Sequence, residues 1–363
     1  MNRTAAPLRV GVVGLGFAGE THAKAYQKLP GVEVVAMAGL EEERLNQLTA
    51  ELGIPNALRS WEELVALDDL DIVSVCTPNF LHEPIAVAAL QRGRHVLCEK
   101  PLARSSAEAQ KMVDAATKAG RVLMTAFNHR QRGDVQTLRR YIDAGSLGRV
   151  YHAKASWMRR RGIPGMGSWF TSKNMAGGGP LIDLGVHVLD MALYLLDEPD
   201  VLSVNAATYA ELGPKGRGGR VDDNKMQVSS AYEVEDMASA FIRLRGGGTL
   251  LLEASWATHS SAGDDFGVTL YGSDGGAEIK VKNYNWEDTL RIFTDIAEVP
   301  AEVRPLVTRG EGHLAVVRHF IEVVRSGDWS AHVGQEGLLR TRVIDACYAS
   351  ATEAREVVLA AMS

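Results

Sequence analysis

The chain has 363 residues, of which 46% are hydrophobic and 23% charged, and a net charge of −6. This composition is typical of a globular protein large enough for two domains, and it includes no basic tract of the kind that binds nucleic acid. With no apolar run near the roughly 20 residues of a membrane span, no signal-peptide pattern and three cysteines lacking metal spacing, we expect a cytoplasmic protein that binds neither membranes nor nucleic acid.

The first third of the sequence alternates predicted strands with predicted helices. Strands are expected at Leu8–Val13, Val32–Ala38, Asp71–Cys76, His95–Cys98 and Val122–Ala126. Helices are expected from the glycine motif to about Lys28 and at Glu41–Leu52, Glu83–Arg92 and Ser105–Ala119. Because alternating strands and helices form right-handed βαβ crossovers, residues 1–128 are predicted to form an α/β domain with a doubly wound parallel sheet.

The pattern changes near Asn128, after which long alternating strands dominate. A helix is expected at Val135–Ala144, and strands at Val150–Trp157, Val201–Tyr209, Met237–Leu244, Thr249–Ala257, Val268–Tyr271 and Ala277–Val281. Two final helices are expected at His313–Arg325 and Gln335–Val357. Residues 129–363 are therefore predicted to form an α+β domain with a large, mostly antiparallel open sheet. The polar stretch from Glu211 to Glu235 is long enough to be a mobile loop or lid.

A glycine motif, Gly14-x-Gly16-x-x-Gly19, follows the first strand and opens the first helix. In this position the glycines permit a tight turn, a close approach of the backbone to a pyrophosphate and helix–strand packing. Phe17 and Ala18, between the glycines, open the helix whose N-terminus favours phosphate binding. The motif predicts a dinucleotide site.

The choice between NAD and NADP depends on the end of the second strand. An acid expected there, for the ribose 2′-hydroxyl, is replaced by Gly39, with Leu40 after it. If Glu41 folds back onto the ribose, NAD is preferred, whereas Arg44 could instead accommodate the 2′-phosphate of NADP. The carboxylates of Glu41–Glu43 should repel a phosphate, which favours NAD, although they also suit the solvated first turn of a helix.

Polar residues follow the predicted strands at their carboxyl ends, where ligands bind in doubly wound sheets. Thr77, Pro78, Asn79 and His82 follow one strand, Glu99 and Lys100 follow the next, and Asn128 follows the last. We interpret them as cofactor-binding residues, although Pro and Asn also favour ordinary turns. The Lys100 ammonium can additionally hold a hydroxyl or oxyanion of a substrate.

A second glycine run, Gly177-Gly178-Gly179, precedes an apolar helix that carries Asp183, His187 and Asp190. The three residues are spaced i, i+4, i+7 and should form one polar stripe. Histidine beside carboxylates can transfer a proton near neutral pH, so Asp183 and His187 are candidate catalytic residues, and Asp190 is more consistent with a structural role. The alternative is a core histidine satisfied by its helix neighbours. The spacing does not match a metal motif, and no metal is predicted.

Arginines and aromatic residues lie between these motifs. Arg130, Arg160, Trp169 and Phe170 could bind a sugar, which has an apolar face and a rim of hydroxyls. The alternatives are surface charge for the arginines and core packing for the aromatic residues.

Taken together and in this order, these motifs resemble those of the glucose–fructose oxidoreductase / inositol dehydrogenase / rhizopine-catabolism (Gfo/Idh/MocA) family over nearly the whole chain. The resemblance implies a Rossmann domain followed by an open-sheet domain, through which a homodimer or homotetramer forms. It also implies that Lys100, Asp183 and His187 surround the reacting carbinol. Gly39 departs from the Asp that many members carry, which leaves the choice between NAD and NADP open.

The expected function is hydride transfer between NAD(P) and a secondary alcohol of a sugar, a sugar derivative or a polyol such as inositol. His187 would take the hydroxyl proton, Asp183 would set its tautomer, and Lys100 would stabilise the same oxygen, with the formal base left open between Lys100 and His187. Two alternatives are a redox-cycled NAD-dependent glycoside hydrolase or lyase, and a non-catalytic sugar- or nucleotide-sensing protein.

Overall fold

The computed structural model describes residues 6–219 and 232–361. The described chain forms two compact units, one that ends at Asn128 and includes Glu311–Leu339, and one that contains His129–Gly310 and the chain from Arg340 onward. Residues 220–231 of the predicted lid lie outside the described ranges. Within these ranges, every helix is too short or too polar to cross a bilayer.

The first unit is built on a six-stranded parallel sheet. Its strands are β1 Leu8–Val13, β2 Val32–Ala38, β3 Asn56–Leu58, β4 Ile72–Val75, β5 His95–Cys98 and β6 Leu123–Thr125, and its first helices are α1 Phe17–Gln27, α2 Glu42–Leu52, α3 Trp61–Ala66, α4 His82–Gln91 and α5 Ser106–Ala119. The strand order β3-β2-β1-β4-β5-β6, with all pairs parallel, is that of a Rossmann fold. The predicted fold class is confirmed, and only the short elements β3 and α3 were missed.

The second unit contains a sheet that has nine strands in the described part of the chain. Its strands are β7 Val150–Arg159, β8 Val201–Tyr209, β9 Met237–Leu244, β10 Thr249–Ser255, β11 Asp264–Gly272, β12 Gly276–Lys282, β13 Leu290–Ile296, β14 Val299–Val303 and β15 Val357–Val358. The remaining helices of the chain are α6 Gly133–Asp143, α7 Lys173–Ala176, α8 Val186–Leu195, α9 His313–Ser326 and α10 Gln335–Glu353. The order is β14-β13-β12-β11-β7-β10-β9-β8-β15, and β7–β10 is a parallel pair in an otherwise antiparallel sheet. The predicted mostly antiparallel sheet is confirmed.

Two predictions near the C-terminus are corrected. Helix α9 belongs to the first unit rather than to a domain 129–363, because its apolar residues Val317, Phe320 and Val324 join the core that contains Tyr26 of α1. The last predicted helix does not reach Val357. It ends at Glu353, the next residue has a positive φ of 50°, and Val357 pairs with β8.

The large sheet has one buried face. In β7, Ala153, Ala155 and Trp157 are at most 2% exposed, whereas Lys154, which points to the opposite face, is exposed. Helix α8 packs on β7 and β11 and so covers the buried side. The side chains of α8 are thereby held against a rigid sheet, which suits a precisely oriented site. Assembly through the other face stays a prediction.

Candidate active site

The three glycines of the first motif have different surroundings. Gly14 has a φ of +115°, and a Cβ atom there would lie 2.1 Å from the carbonyl oxygen of Cys76. A Cβ atom on Gly19 would lie 2.0 Å from the carbonyl oxygen of Gly14. At Gly16, which precedes α1, a Cβ atom would meet no heavy atom within 4 Å. Gly14 and Gly19 are therefore required by packing, whereas Gly16 leaves open the space that a pyrophosphate needs.

Two large apolar side chains near this turn are exposed to solvent. Phe17, which with Ala18 begins α1, is 79% exposed, and Leu40, which follows β2, is 77% exposed. These two exposed apolar side chains lie beside the glycine turn and are available to pack against the flat rings of a ligand.

An acid in place of Gly39 would require the Leu15 side chain to move. A Cβ atom there would lie 2.3 Å from Cγ of Leu15. Arg44 is the residue that could accommodate the 2′-phosphate of NADP. Its Nη2 lies 2.5 Å from Oε2 of Glu20, and the other oxygen of Glu20 lies 2.6 Å from Lys24 Nζ. The guanidinium is thus already paired with a carboxylate.

The loop after β4 combines an available hydroxyl with a buried histidine. Thr77 Oγ1 is buried and has no hydrogen-bond partner in the described chain. Pro78 precedes a short 3₁₀ turn that begins with the buried Asn79. His82 is fully buried, with Nδ1 2.8 Å from the carbonyl oxygen of Pro101 and Nε2 2.9 Å from that of Thr77.

Although two carbonyls face the His82 ring, burial dominates and lowers its pKa below 6.5. The ring is therefore neutral at pH 7 and donates to one carbonyl at a time. The ring of His82 thus holds the loops after β4 and β5 together, and its contact with the cofactor stays a prediction. The same holds for Thr77.

Glu99 and Lys100 follow β5, and the Lys100–Pro101 peptide bond is cis. The Lys100 backbone N–H donates to Glu99 Oε2 at 3.2 Å. Glu99 Oε1 lies 3.0 Å from His22 Nε2 and 3.5 Å from His313 Nε2. Burial alone would raise the pKa of Glu99, but the hydrogen bonds from His22 and then His313 outweigh it and hold the pKa well below 4.5. Glu99 is therefore a carboxylate whose hydrogen bonds are made inside the protein, and its contact with the cofactor stays a prediction.

Sequence reasoning overlooked His22 and His313, which lie far from Glu99 along the chain. One possible signal is that His22 follows Gly19 by one turn of α1 and so faces the sheet. The ligand atoms of His22, Glu99 and His313 lie within 4.8 Å of one another, so the set could also hold a metal ion. Asn128 opens a 3₁₀ turn after β6 and is partly buried.

The first unit thus offers an open glycine cradle, exposed apolar faces at Phe17 and Leu40, and a buried hydroxyl at Thr77 without a partner. The open glycine turn suits the pyrophosphate of a dinucleotide, and the exposed apolar faces suit its rings. The residues fit NAD(P).

In the second unit, the helix that carries the predicted polar stripe begins with a π-helical turn. The turn spans Leu181–Gly185 and continues directly into α8. A π-turn winds more loosely than an α-helix, so the i, i+4, i+7 stripe is interrupted between Asp183 and His187. π-Turns are frequent at functional sites.

The three polar residues of this helix have different partners. Asp183 Oδ2 accepts a hydrogen bond from Trp256 Nε1 at 2.9 Å. His187 Nδ1 lies 3.2 Å from Nδ1 of His129, a residue that sequence reasoning overlooked although it lies between Asn128 and Arg130. Because two facing nitrogens share one hydrogen, one of these rings donates and the other accepts.

Asp190 is structural, as the sequence suggested. Arg130 donates Nε–H to its Oδ2 at 3.0 Å, and the buried Arg340 donates Nε–H to its Oδ1 at 3.0 Å. Arg340 also donates Nη2–H to Glu198 Oε1 at 2.8 Å. The predicted substrate contact of Arg130 is not supported, because its guanidinium is bound to Asp190, and we leave it out of the substrate site proposed below.

Aromatic rings surround the His129–His187 pair. The Trp157 ring centroid lies 5.0 Å from that of His129 and 5.4 Å from that of His187, and Phe266 is 4.6 Å from Trp157. Such an apolar wall limits water around the pair and strengthens its hydrogen bond.

Trp169 and Phe170 stack with centroids 3.8 Å apart, and Phe170 meets Trp256 edge to face at 6.5 Å. Both rings are partly exposed. Since Trp256 also donates to Asp183, this stack adjoins one candidate catalytic residue.

Arg160 is exposed just after β7, and its contact with substrate stays a prediction. The buried arginine is its neighbour Arg159, which shares a face of β7 with Trp157 and lies with Nε 2.9 Å from Asp264 Oδ1. Burial works against its charge, but Asp264 and, more weakly, Asp183 raise the pKa of Arg159. The charge of Arg159 is therefore felt at Asp183 as well as at Asp264.

The second glycine run is filled by protein groups. A Cβ atom on Gly178 would lie 2.0 Å from the Tyr348 hydroxyl, and one on Gly179 would lie 2.1 Å from the carbonyl oxygen of Glu235. The buried Glu235 carboxylate accepts from the backbone N–H of Gly179 at 2.9 Å and of Leu181 at 3.1 Å, and from Tyr348 at 2.9 Å. Burial raises the pKa of Glu235 although these donors oppose it. Glu235 caps the helix of Asp183 and His187.

Comparison with known proteins identifies relatives along nearly the whole chain. Residues 8–127 match the family described as "Oxidoreductase family, NAD-binding Rossmann fold", and residues 135–278 match the "GFO/IDH/MocA C-terminal domain". D-Glucoside 3-dehydrogenase of Escherichia coli (strain K12) is 33% identical over 358 residues, which cover 98% of this chain and 99% of that protein.

Two further relatives act on other compounds by name. Levoglucosan dehydrogenase of Pseudarthrobacter phenanthrenivorans is 30% identical, with 78% of this chain and 76% of that protein covered. A solved structure of levoglucosan dehydrogenase in complex with NADH has a TM-score of 0.85 and 25% identity, and covers 98% of this chain and 100% of that one. Myo-inositol 2-dehydrogenase of Thermotoga maritima is 26% identical over 97% of this chain and 98% of that protein.

Proposed function

Since the chain belongs to the Gfo/Idh/MocA family of NAD(P)-dependent oxidoreductases acting on sugar and polyol hydroxyls, we propose that it oxidises the C3 hydroxyl of a D-glucoside with NAD. The observation that carries this substrate is the 33% identity to a D-glucoside 3-dehydrogenase over 98% of the chain. The partly exposed Trp169–Phe170 stack supports it, because aromatic faces suit the apolar face of a pyranose ring.

The proposed preference for NAD rests on charge. Arg44, which could bind a 2′-phosphate, is paired with Glu20, and Glu41–Glu43 add three carboxylates nearby. Bringing a phosphate dianion to this edge would require breaking the Arg44 pair against that repulsion. A ribose 2′-hydroxyl carries no such cost.

The proposed chemistry uses Lys100, Asp183 and His187. NAD, when bound, supplies the hydride acceptor. His187 takes the hydroxyl proton, and for this its Nε2 must carry a lone pair. The tautomer that satisfies this condition places the hydrogen on His187 Nδ1, which then donates to His129 Nδ1 across the 3.2 Å contact. His129 thus takes the tautomer-setting role that the sequence assigned to Asp183.

In the same scheme Asp183 stabilises the imidazolium that forms on His187, while the hydrogen bond from Trp256 Nε1–H orients the Asp183 carboxylate. Lys100 donates to the substrate oxygen and stabilises its developing charge. The relatives reported above are named as dehydrogenases, so a hydrolase, a lyase or a silent sensor is not favoured.

The test is a substrate panel followed by the absorbance of reduced nicotinamide. Methyl D-glucopyranoside, levoglucosan and myo-inositol are each offered with NAD and with NADP. We expect the highest kcat/KM for the glucoside with NAD, and transfer of deuterium to nicotinamide only from a glucoside labelled at C3. Faster turnover of myo-inositol contradicts the substrate, and a higher kcat/KM with NADP contradicts the cofactor.

Variants test the residue roles. Lys100→Met and His187→Asn should each lower kcat by about 10²–10⁴-fold, the usual contribution of a positioned acid–base or charge-stabilising group. Retention of near-wild-type turnover by either variant would remove that residue from the mechanism. Measurements of KM for NAD establish that the cofactor site is intact.

A further inference from the structure

A buried group of polar side chains in the first unit contacts the backbone of Lys100. It consists of His22 of α1, Ser74 of β4, Glu99 after β5 and His313 at the start of α9. The His22 side chain is fully buried, and those of Glu99 and His313 are 11% and 18% exposed. A polar cluster at this depth persists only if its hydrogen bonds are satisfied.

The positions of the hydrogens follow from the chemistry of the groups. An ionised Glu99 can only accept, so His22 carries a hydrogen on the Nε2 that lies 3.0 Å from Glu99 Oε1. His22 Nδ1 then has a lone pair and accepts from the Ser74 hydroxyl at 2.8 Å. A neutral His22 satisfies both contacts, so the chain Ser74–His22–Glu99 is complete without a further proton.

The same carboxylate reaches the backbone of the candidate catalytic lysine. While Oε1 faces His22 and His313, Oε2 accepts from the Lys100 backbone N–H at 3.2 Å. On the other side of Lys100, the carbonyl of Pro101 contacts His82 Nδ1 at 2.8 Å. Both neighbours of Lys100 are thus tied to buried histidines, which are carried by different helices.

We propose that His22, acting through Glu99, is a positioning residue that fixes the backbone from which the Lys100 ammonium is presented. This inference rests on the proposed role of Lys100 in hydride transfer. Catalytic groups need support to within about 0.5 Å, and a displacement near 1 Å can cost about 100-fold in rate. Without His22, Glu99 loses its strongest donor and is free to turn away from Lys100.

The test compares two buried histidines of the same unit. His95 accepts a backbone hydrogen bond from Val122 at 3.1 Å and packs on Trp329, but has no described contact with Glu99. We expect His22→Leu to lower kcat on methyl D-glucopyranoside by about 10- to 100-fold, with KM for NAD within about threefold of wild type. His95→Leu should lower the melting temperature but leave kcat within about threefold, because it does not support the lysine.

Two further variants separate positioning from packing. His22→Gln retains an amide N–H for Glu99 and an oxygen for Ser74, and should restore kcat to within about fivefold of wild type. In a Lys100→Met background, His22→Leu should lower the residual rate no further, because the group that it positions is gone. If His22→Leu does not fold, Glu99→Gln, which keeps the side-chain volume, should show the same fall in kcat.

The outcomes distinguish this inference from the proposed function. If Lys100→Met retains turnover, the proposed function fails first. If Lys100→Met is inactive but His22→Leu matches His95→Leu in kcat, only the positioning role is overturned. One equivalent of a transition metal in the purified wild-type protein, lost in His22→Leu, would also overturn it, because His22 and His313 would then be ligands.

Discussion

Two helices of this protein begin after glycine-rich segments, but the glycines of the two segments have different surroundings. Gly16 in the first unit faces open space, whereas Gly178 and Gly179 in the second are in contact with Tyr348 and Glu235. We propose that the first segment leaves room for the cofactor, whereas the second lets the buried Glu235 carboxylate reach backbone N–H groups. A glycine run before a helix therefore indicates a close approach, and only the structure shows whether a ligand or the protein makes it.

The largest loss of stability is expected from a substitution of Gly179, whose surroundings are filled by protein groups. Gly179→Ala would place its Cβ atom 2.1 Å from the Glu235 carbonyl oxygen, a backbone atom that cannot move aside easily. Overpacking of this kind costs about 3 kcal/mol, so we expect a clear fall in the urea midpoint. The matched control is Gly246→Ala in the same unit, where a Cβ atom meets nothing within 4 Å. Equal urea midpoints for the two variants would show that position 179 accommodates a side chain.

A substitution of Gly16, in the open glycine turn, should weaken cofactor binding rather than stability. Gly16→Ala leaves the unliganded protein as stable as wild type, because its Cβ atom would meet no heavy atom within 4 Å. The added methyl group occupies the path of the pyrophosphate, and we expect the Kd for NAD to rise about 10-fold or more, which is about 1.4 kcal/mol. Calorimetric titration with NAD measures this. Unchanged affinity would show that Gly16 does not border the pyrophosphate. Gly19→Ala, whose Cβ atom would clash with the Gly14 carbonyl, should instead lower the stability of the protein.

Much of the fold could be predicted because its signals are local. Apolar runs separated by capped helices predicted the parallel sheet, and alternating residues predicted the large second sheet. Four strands were missed: β3 and β15 have only three and two residues, whereas β13 and β14 have seven and five and lie at the outer edge of the large sheet. Helix α9 was placed in the wrong domain because its partner α1 lies almost 300 residues away in sequence, and amphipathic spacing does not reveal which surface a helix covers.

The candidate site was predictable where spacing alone carries the chemistry, as in Gly14, Gly16 and Gly19. It was not predictable where partners meet through the fold. Glu99 and His22 are 77 residues apart, and His129 and His187 are 58 apart. Arg159 was missed by one position, because the predicted strand ended at Trp157 and its alternation was not continued to the next residue on the same face.

The two units each contain a buried carboxylate, Glu99 and Glu235, and the pKa values of the two differ from the ordinary value in opposite directions. For Glu99 the folded pKa lies below 4.5, so its stabilising contribution is present above that pH and is lost on acidification. For Glu235 the folded pKa lies above 4.5, so the folded state binds the extra proton and stability falls as the pH rises above that value. A tenfold difference in proton affinity between the folded and unfolded states corresponds to about 1.4 kcal/mol, which sets the scale of both effects.

Urea unfolding as a function of pH tests this opposition. Glu99→Gln should reduce the loss of stability that wild type shows below about pH 4.5, and Glu235→Gln should reduce the loss that it shows as the pH rises above about 4.5. Glu235→Gln should also be less stable overall by about 1–3 kcal/mol, because the new amide hydrogens face the N–H of Gly179 or Leu181. If both variants change the pH dependence of stability over the same pH range, the two carboxylates share one kind of environment. The contrast between Glu99, where hydrogen-bond donors dominate, and Glu235, where burial dominates, is then wrong.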